Sequence, residues 1–177
     1  MKVLHLFSNW KWTGPAEPAL NLCVALSQKG VECDFACAPG PAGSINKVIE
    51  TARDRGLEPI LQFHLSKHLN PIWNLLDSLS LRQFLKKHPY DILHCHLDND
   101  HRLAIAARRK IPFRLVRSSY YGEGFPETKS CRTLLQNTDL LIEPSLKAME
   151  RDKQKTSRPE FAYVPVGVDT VRFDPAR

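Results

Sequence analysis

The stretch that decides the fold is Phe161-Ala-Tyr-Val-Pro-Val-Gly-Val-Asp-Thr-Val-Arg-Phe-Asp-Pro175, close to the end of the 177-residue sequence. Its first residues are apolar and suit a short β-strand, and Gly167 marks a turn directly after them. An acidic residue, an aromatic residue and a proline follow at Asp169, Phe173 and Pro175. The pattern predicts a strand that ends in a tight turn, followed by residues that anchor the chain as it leaves.

This stretch resembles the interdomain signature of the family 4 glycosyltransferases of GT-B fold, I/V-P-N-G-V-D-x-x-x-F-x-P, after which the chain enters a second domain. The matching residues are Val164, Pro165, Gly167, Val168, Asp169, Phe173 and Pro175. Val166 stands where the family usually has asparagine. The resemblance implies that residues 1–168 form an N-terminal, acceptor-binding, Rossmann-like domain. It also implies that residues 169–177 begin the interdomain linker, and that the donor-binding C-terminal domain is absent from this chain.

Length and composition indicate one globular domain. The apolar fraction of 42% and the charged fraction of 25% are ordinary for such a domain. No run approaches the ~20 apolar residues that a membrane span needs, and the first residues predict a strand rather than a signal peptide. The five cysteines have irregular spacing and include no C-x-x-C pair, which suits a reducing cytoplasm. We therefore expect a cytoplasmic protein.

A formal charge of +6 and a pI near 9.2 favour anionic partners. The basic residues lie in small groups, which are Lys86-Lys87, Arg108-Arg109-Lys110 and the segment from Arg151 to Lys155. Such groups are typical of solvated helix ends, and we expect no nucleic-acid partner. The other interpretation is peripheral contact with the anionic inner face of a membrane.

Strand and helix patterns alternate along the chain. Strand patterns cover residues 2–8, 32–38, 59–63, 91–96, 113–118, 139–143 and 161–164. Helix patterns cover residues 18–29, 44–55, 73–87, 100–110, 127–136 and 145–155. We expect Ser44 to cap the second helix, and Leu76, Leu79, Phe84 and Leu85 to face the core. Most strands are apolar on both faces, which predicts an α/β fold with a doubly wound parallel sheet. Ligands of such sheets bind at the carboxyl ends of the strands.

The loop after the first strand holds Gly14 just before a helix N-terminus, where backbone N–H groups favour an anion. The segment resembles the family's G-G-x-E loop, which approaches the phosphate of the nucleotide-sugar donor. Gly14, Ala16 and Glu17 match it, whereas Pro15 and Pro18 each remove one backbone donor. Phosphate binding is thus assigned to Gly14 and a place at the donor cleft to Glu17. The alternative is that Gly14 only permits a tight turn.

Two tryptophans, Trp10 and Trp12, lie in the same loop. Two tryptophans make this loop more aromatic than a solvated loop needs to be. They either form a wall for a sugar-bearing or apolar acceptor, or pack on the domain.

The densest polar cluster is Asp91-Ile-Leu-His-Cys-His-Leu-Asp-Asn-Asp-His101. Period-two geometry puts His94 and His96 on one face of the strand. The segment resembles the family's D-I/V-V-H-x-H strand, in which the second histidine lies near the acceptor. The resemblance makes His96 and Asp98 the catalytic candidates, which orient or deprotonate the acceptor hydroxyl.

Two other interpretations of the cluster remain open. H-x-H-x-D-x-D-H is similar to the zinc cluster of metallo-β-lactamase-type hydrolases, and its ligands would be His94, His96, Asp98 and His101. The pattern holds two residues too many, and no histidine follows His101. Alternatively, the histidines are simply hydrogen-bonded at a strand end.

The segment from Ile111 to Gly122 resembles the family's I/V-P-x-V-x-T-x-H-G strand and loop. The family's histidine falls on Ser119 or Tyr120, and it is missing here. The acceptor contacts are therefore assigned to Trp10, Trp12, Arg117, Tyr120 and Tyr121. Gly122 and Gly124 predict a tightly turned or mobile loop.

Asp139-Leu-Leu-Ile-Glu-Pro-Ser145 resembles the family's A-D-x-V/I-I-x-x-S segment. It ends a strand at Glu143, which we expect to be exposed at the donor cleft together with Glu17 and Gly167. Ser145 is expected to cap the next helix.

The resemblance implies an enzyme that moves a sugar, of hexosyl or related type, from a nucleotide-sugar to an acceptor hydroxyl with retention of configuration. It implies no metal and no other cofactor. The basic charge and the aromatic first loop favour a cell-envelope glycolipid or polysaccharide as acceptor. Most donor contacts belong to the second domain, so this chain by itself is predicted to be inactive and to bind nucleotide-sugar poorly. The alternative is a free-standing nucleotide- or anion-binding module.

Overall fold

The computed structural model describes residues 1–109 and 111–167. Within these residues the strands are β1 (Lys2–Phe7), β2 (Glu32–Cys37), β3 (Ile92–Cys95), β4 (Arg114–Ser118), β5 (Leu140–Glu143) and β6 (Glu160–Tyr163). The helices are α1 (Ala16–Gln28), α2 (Lys47–Asp54), α3 (Pro71–Lys87), α4 (Asp98–Ala107), α5 (Lys129–Gln136) and α6 (Leu146–Lys155).

These strands form one sheet in the order β2-β1-β3-β4-β5-β6, and every neighbouring pair is parallel. The core has one layer on each side of the sheet. Apolar side chains of α1 and α2 pack on one face, and those of α3 and α4 pack on the other. The predicted doubly wound α/β fold is confirmed. The chain reverses its direction of winding between β1 and β3, which is where such sheets bind ligands.

The six described helices each start one to three residues from the predicted position, and two of these differences have a clear cause. Asn46, rather than Ser44, caps α2, because its Oδ1 accepts from the N–H groups of Val48 and Ile49 at 3.1 and 3.2 Å. The Ser44 hydroxyl instead donates to the carbonyl of Pro41. At the other site, α1 begins at Ala16, two residues earlier than expected. Pro18 still lies in the first turn, where the missing N–H breaks no helical bond.

The predicted strand 59–63 is wrong, since only Ile60 pairs with β2, through a single bridge to Ala36. The pairing stops because the next backbone donors have another partner. The Asp77 carboxylate accepts the N–H of His64 and the N–H of Leu65, both at 2.8 Å. This contact turns the chain away from the sheet edge.

The inward orientation predicted for Leu76 and Leu79 is also wrong, because both side chains are 46% exposed. The buried face of α3 instead contains Ser78, Leu81 and Leu85. The helix is apolar on two sides, so periodicity alone does not decide which side meets the core.

No helix in the described ranges is long and apolar enough to cross a membrane. The linker predicted at residues 169–177, together with Val168, lies outside the described residues.

Candidate functional site

The carboxyl ends of β1 and β3 form one continuous edge. Leu6 pairs with Cys95, and the N–H of His96 donates to the carbonyl of Leu6. One residue beyond β1, the N–H of Ser8 donates to Asp100 Oδ2 at 2.9 Å. The loop that carries Gly14 and the loop that carries His96 therefore lie along the same edge, as the sequence predicts.

One face of this edge holds a row of imidazoles. His94 and His96 lie on the same face of β3, as predicted, and His5 of β1 lies beside them. His5 Nδ1 is 3.1 Å from His96 Nε2, and His96 Nδ1 is 2.8 Å from the Tyr120 hydroxyl. His94 Nε2 is 2.8 Å from the Ser118 hydroxyl. A hydrogen-bonded chain thus runs from His5 through His96 to Tyr120.

These imidazoles are neutral at pH 7. Burial lowers the pKa of His5 to about 4 and holds the pKa values of His94 and His96 well below their ordinary value. His96 is fully buried, so no ligand on the surface touches it directly. The Tyr120 hydroxyl lies next to it, and Tyr120 lines an open groove.

The opposite face of the edge holds a network of charged groups. Asp98 is the first residue of α4, and its side chain is 34% exposed. Arg117 Nη2 donates to Asp98 Oδ1 at 3.0 Å, and the Tyr121 hydroxyl donates to Asp98 Oδ2 at 3.0 Å. Arg117 is only 2% exposed, so its predicted contact with an acceptor is corrected: it contacts Asp98 and fixes that carboxylate in place.

Asp100 ties the two loops together behind Asp98. Its carboxylate accepts the N–H groups of Ser8 and Leu97, and the Ser8 hydroxyl accepts the N–H of Asp100. Burial raises the pKa of Asp100 to about 7, although Arg117 and these hydrogen bonds oppose the shift. Asp100 thus has a structural role: it accepts the N–H of Leu97, the N-cap residue of α4, and it anchors the first loop.

The expected exposure of Glu143 is wrong, because its side chain is fully buried. Burial raises the pKa of Glu143 to about 8, and the nearby Asp152 carboxylate adds to the shift. Asp152 also accepts the N–H of Phe125 at 3.0 Å. It lies against Gly124, where φ is +81° and a Cβ would come within 2.8 Å of Asp152 Oδ1. The loop is therefore tightly turned at a position that requires glycine.

The hydrolase alternative required four ligands that the structure does not bring together. Among the described residues, the group that could hold a metal is His5, His94 and His96, whose ligand atoms lie within 4.8 Å of one another. Asp98 lies on the other face, and His101 Nε2 is 2.9 Å from the Thr138 hydroxyl. Ring nitrogens of all three are already engaged in hydrogen bonds, His5 Nδ1 with His96 Nε2 and His94 Nε2 with the Ser118 hydroxyl.

The two tryptophans of the first loop have different environments. Trp10 packs against the core, whereas Trp12 stays 36% exposed. Gly14 is exposed beside α1, and nothing lies within 4 Å of the position that its Cβ would take. Glu17 accepts from Arg55 Nη2 at 2.8 Å. The loop thus offers open space at Gly14 and a free indole at Trp12.

A groove of about 850 Å³ runs between α1 and the ends of β4, β5 and β6. Its walls include Ser119, Tyr120 and the segment Val164–Gly167. Gly167 and Tyr120 therefore share one surface, although the assignment of Gly167 to a donor cleft stays a prediction.

Sequence reasoning missed His5 and Asp100. A signal for His5 exists, because it alternates with Leu4 and Leu6 on the first strand. That signal identifies a partner only once the register of β1 against β3 is known, which places His5 opposite His94.

The comparison with family models supports the resemblance. The model described as Glycosyltransferase Family 4 matches residues 13–172. The chain belongs to this family. No curated protein matches the sequence significantly.

Solved structures share the fold at low identity. MurG of Acinetobacter baumannii is 11% identical, with a TM-score of 0.68, and the alignment covers 96% of this chain and 47% of MurG. HepE of Anabaena, in complex with UDP and glucose, is 13% identical, with a TM-score of 0.75 and coverage of 99% and 48%. The lipopolysaccharide outer core galactosyltransferase WaaB is 16% identical, with a TM-score of 0.71 and coverage of 96% and 47%. The chain thus spans about half the length of these glycosyltransferases.

Proposed function

We propose that this chain is the acceptor-binding half of an enzyme that transfers a sugar from a nucleotide-sugar to an acceptor hydroxyl. The observation that carries the proposal is the position of Asp98. Its carboxylate is partly exposed on the edge that also carries Gly14, and Arg117 and Tyr121 hold it in place. The family supports the transfer of a sugar, and the edge supplies a group suited to the acceptor.

Asp98 orients the acceptor hydroxyl in this proposal. A carboxylate has about four lone-pair sites, and Arg117 and Tyr121 take one on each oxygen. The remaining sites can accept the proton of an acceptor hydroxyl, which increases the nucleophilicity of its oxygen. Because two hydrogen bonds hold the carboxylate, little further ordering is needed when the acceptor binds.

Tyr120 takes the place of the family's missing loop histidine. No described residue bonds to His5 Nε2, and a buried nitrogen without a partner is less costly as an acceptor than as an N–H donor. This places the His5 proton on Nδ1, from which it is donated to His96 Nε2. His96 then donates from Nδ1 to the Tyr120 oxygen, and the Tyr120 proton is free for a ligand in the groove. Long-range ¹H–¹⁵N spectra should show both rings protonated at Nδ1; protonation at Nε2 of His96 would refute this assignment.

The donor is assigned to the other side of the edge. Gly14 contacts the leaving phosphate, with Glu17 and Gly167 at the margin of the donor cleft, and the second domain supplies most of the binding. HepE was crystallised with UDP and with UDP-glucose, so UDP-sugars are the first donors to test. We expect transfer with retention of configuration and without a metal ion.

The acceptor class that we propose is a cell-envelope glycolipid or polysaccharide. The similarity to WaaB, a lipopolysaccharide core galactosyltransferase, supports this class. The basic charge of the chain and the exposed Trp12 agree with it. The site of action is then the cytoplasmic face of a membrane, with peripheral contact.

The experiment is a transfer assay on a protein that extends past Arg177 through the expected second domain. Replacing Asp98 by Asn should lower kcat by about 10²- to 10⁴-fold, which is the usual contribution of a general base. Asp54→Asn is the matched control, because Asp54 is exposed at the end of α2, and it should leave kcat unchanged. Equal kcat for Asp98→Asn and the unaltered protein would refute the assignment.

The alternative, a free-standing nucleotide- or anion-binding module, makes a different prediction for the activity and binding of the 177 residues alone. The transferase interpretation expects no turnover and weak nucleotide-sugar binding, because the donor domain is elsewhere. Calorimetry with UDP and UDP-glucose measures this directly. Tight binding by the isolated chain would favour the module.

A further inference from the structure

The N-terminal half of α3 carries a large apolar surface that the rest of the described chain does not cover. Its members, called here the α3 patch, are Leu69, Ile72, Trp73, Leu75, Leu76 and Leu79, and all of them are exposed. Ile72 and Leu75 are 71% and 62% exposed. Soluble proteins rarely expose contiguous apolar surface of this kind unless it binds something.

The patch results from the helix having two apolar faces. Ile72, Leu75, Leu76 and Leu79 follow the i, i+3, i+4, i+7 spacing of one helical face. The opposite face is buried through Ser78, Leu81 and Leu85, and the two leucines belong to the core layer that α3 shares with α4. The patch is therefore a second, ordered face of a folded helix, and it takes no part in the core.

The exposed charges of the segment that carries the patch have one sign. Residues 59–90 contain one acidic residue, Asp77, which is 2% exposed and accepts the backbone N–H groups of His64 and Leu65. The same segment carries exposed lysines at Lys67, Lys86 and Lys87. This segment is thus apolar in the middle and cationic at both ends, and it has no exposed carboxylate of its own.

This combination fits an anionic phospholipid surface. Apolar side chains enter the boundary between headgroups and acyl chains, and long basic side chains reach the phosphates. Trp73, which stacks on His64 with ring centroids 3.9 Å apart, has the amphipathic ring that is enriched at the headgroup level. A protein partner would more often be matched by charges of both signs at the rim.

The helix that carries the patch contacts the candidate site through its other face. The Asn74 amide donates to Asn99 Oδ1 at 2.7 Å, and the Asn99 amide donates to the carbonyl of Ser66 at 2.7 Å. Asn99 follows Asp98 in the first turn of α4. Asn74 lies on the face of α3 opposite the patch, so this contact ties the helix to the site and leaves the patch free to bind a surface.

We propose that the α3 patch docks this chain on an anionic membrane. Docking inserts Ile72, Leu75 and neighbouring side chains and pairs Lys67, Lys86 and Lys87 with lipid phosphates.

The test is co-sedimentation of this chain with vesicles of phosphatidylcholine that contain about one part in three of phosphatidylglycerol. We expect the chain to bind these vesicles, and to bind phosphatidylcholine alone more weakly. The double variant Ile72→Gln/Leu75→Gln should bind at least about tenfold more weakly, because it removes two inserted side chains. The matched control is Ile45→Gln/Leu146→Gln, which removes two exposed apolar side chains elsewhere and should bind like the unaltered chain.

Three results would overturn the proposal. They are no binding to the anionic vesicles, equal loss in the test and control variants, and a dimer in sedimentation equilibrium that only the Ile72→Gln/Leu75→Gln variant abolishes. The last result would mean that a second copy of the chain covers the patch. We expect each variant to keep the fold, because the replaced side chains are exposed. Circular dichroism on each variant checks this.

The assay uses no sugar, so it is independent of the transferase proposal. A chain that binds vesicles while the longer protein transfers nothing would refute only the transferase. Transfer that is indifferent to Asp98 would leave the docking result intact. Transfer without vesicle binding would refute only the docking.

Discussion

The two faces of the sheet edge use opposite electrostatics. On the α1 face, burial keeps His5, His94 and His96 neutral, and hydrogen bonds join two of them to Tyr120. On the α4 face, a buried guanidinium stands between two carboxylates, Asp98 and Asp100. On the α1 face the imidazoles are uncharged, and the hydrogen bonds from His5 through His96 to Tyr120 all run in one direction. On the α4 face the groups are charged, so removing any one of them leaves a buried charge without its partner.

The charged face should give the largest effect. Arg117→Met leaves Asp98 and Asp100 without their cation, and we expect it to lower the free energy of unfolding by about 3–5 kcal/mol. Urea denaturation measures the change. Arg114→Met is the control on the same strand: its ion pair with Glu160 is exposed on both sides, so the cost should stay below about 1 kcal/mol.

Similar losses for the two arginines would contradict the comparison between the faces. The buried guanidinium would then be no more important than a solvated one, and the network around Asp98 would not be held by charge.

The imidazole face should control stability in acid. The pKa of His5 is lowered to about 4, whereas its unfolded value is 6.5, so the unfolded state binds more protons between these values. Stability is thus present above pH 6.5 and is lost as the pH falls through 4. His5→Gln removes this contribution, and the loss between pH 6.5 and 4 should shrink by about 3 kcal/mol.

His88→Gln serves as the control, because His88 is exposed at the end of α3. Its unfolding curves, recorded at the same pH values, should follow those of the unaltered chain. If His5→Gln loses as much stability between pH 6.5 and 4 as the unaltered chain, burial does not lower the pKa of His5 in the folded state.

Glu143 should have the opposite and smaller effect, at alkaline pH. Its pKa is raised to about 8 from 4.5, so the folded state keeps a proton that the unfolded state has lost. Stability is fully present below pH 4.5 and is lost as the pH rises through 8. Between pH 6.5 and 8 the loss due to Glu143 is about 2 kcal/mol, and Glu143→Gln should remove it.

Glu150→Gln is the matched control in this case, since Glu150 is exposed on α6. Thermal unfolding at pH 6.5 and at pH 8 compares the two variants. If both variants lose the same stability over this interval, Glu143 ionises normally and the argument from its burial fails.

The sheet was predictable because its strands are apolar on both faces and helices separate them. The shared face of His94 and His96 followed from strand geometry, and Asp98 followed from its place just beyond the strand. The neighbour of that pair, His5, depends on the register of β1 against β3, which a single sequence does not contain.

Other features depend on contacts that are distant in sequence. Burial of Glu143 requires the position of Asp152 on α6, nine residues later, and that of the loop above it. Which side of α3 is buried depends on Asp77, whose carboxylate accepts the backbone N–H groups of His64 and Leu65. A helix with two apolar stripes is ambiguous until such a contact orients it.

The most direct test of the account is a structure of the protein extended past Arg177, in complex with UDP and an acceptor. The account predicts the reacting hydroxyl about 3 Å from a carboxylate oxygen of Asp98, with the nucleotide phosphate facing Gly14. An acceptor bound away from Asp98, or a phosphate distant from Gly14, would contradict it.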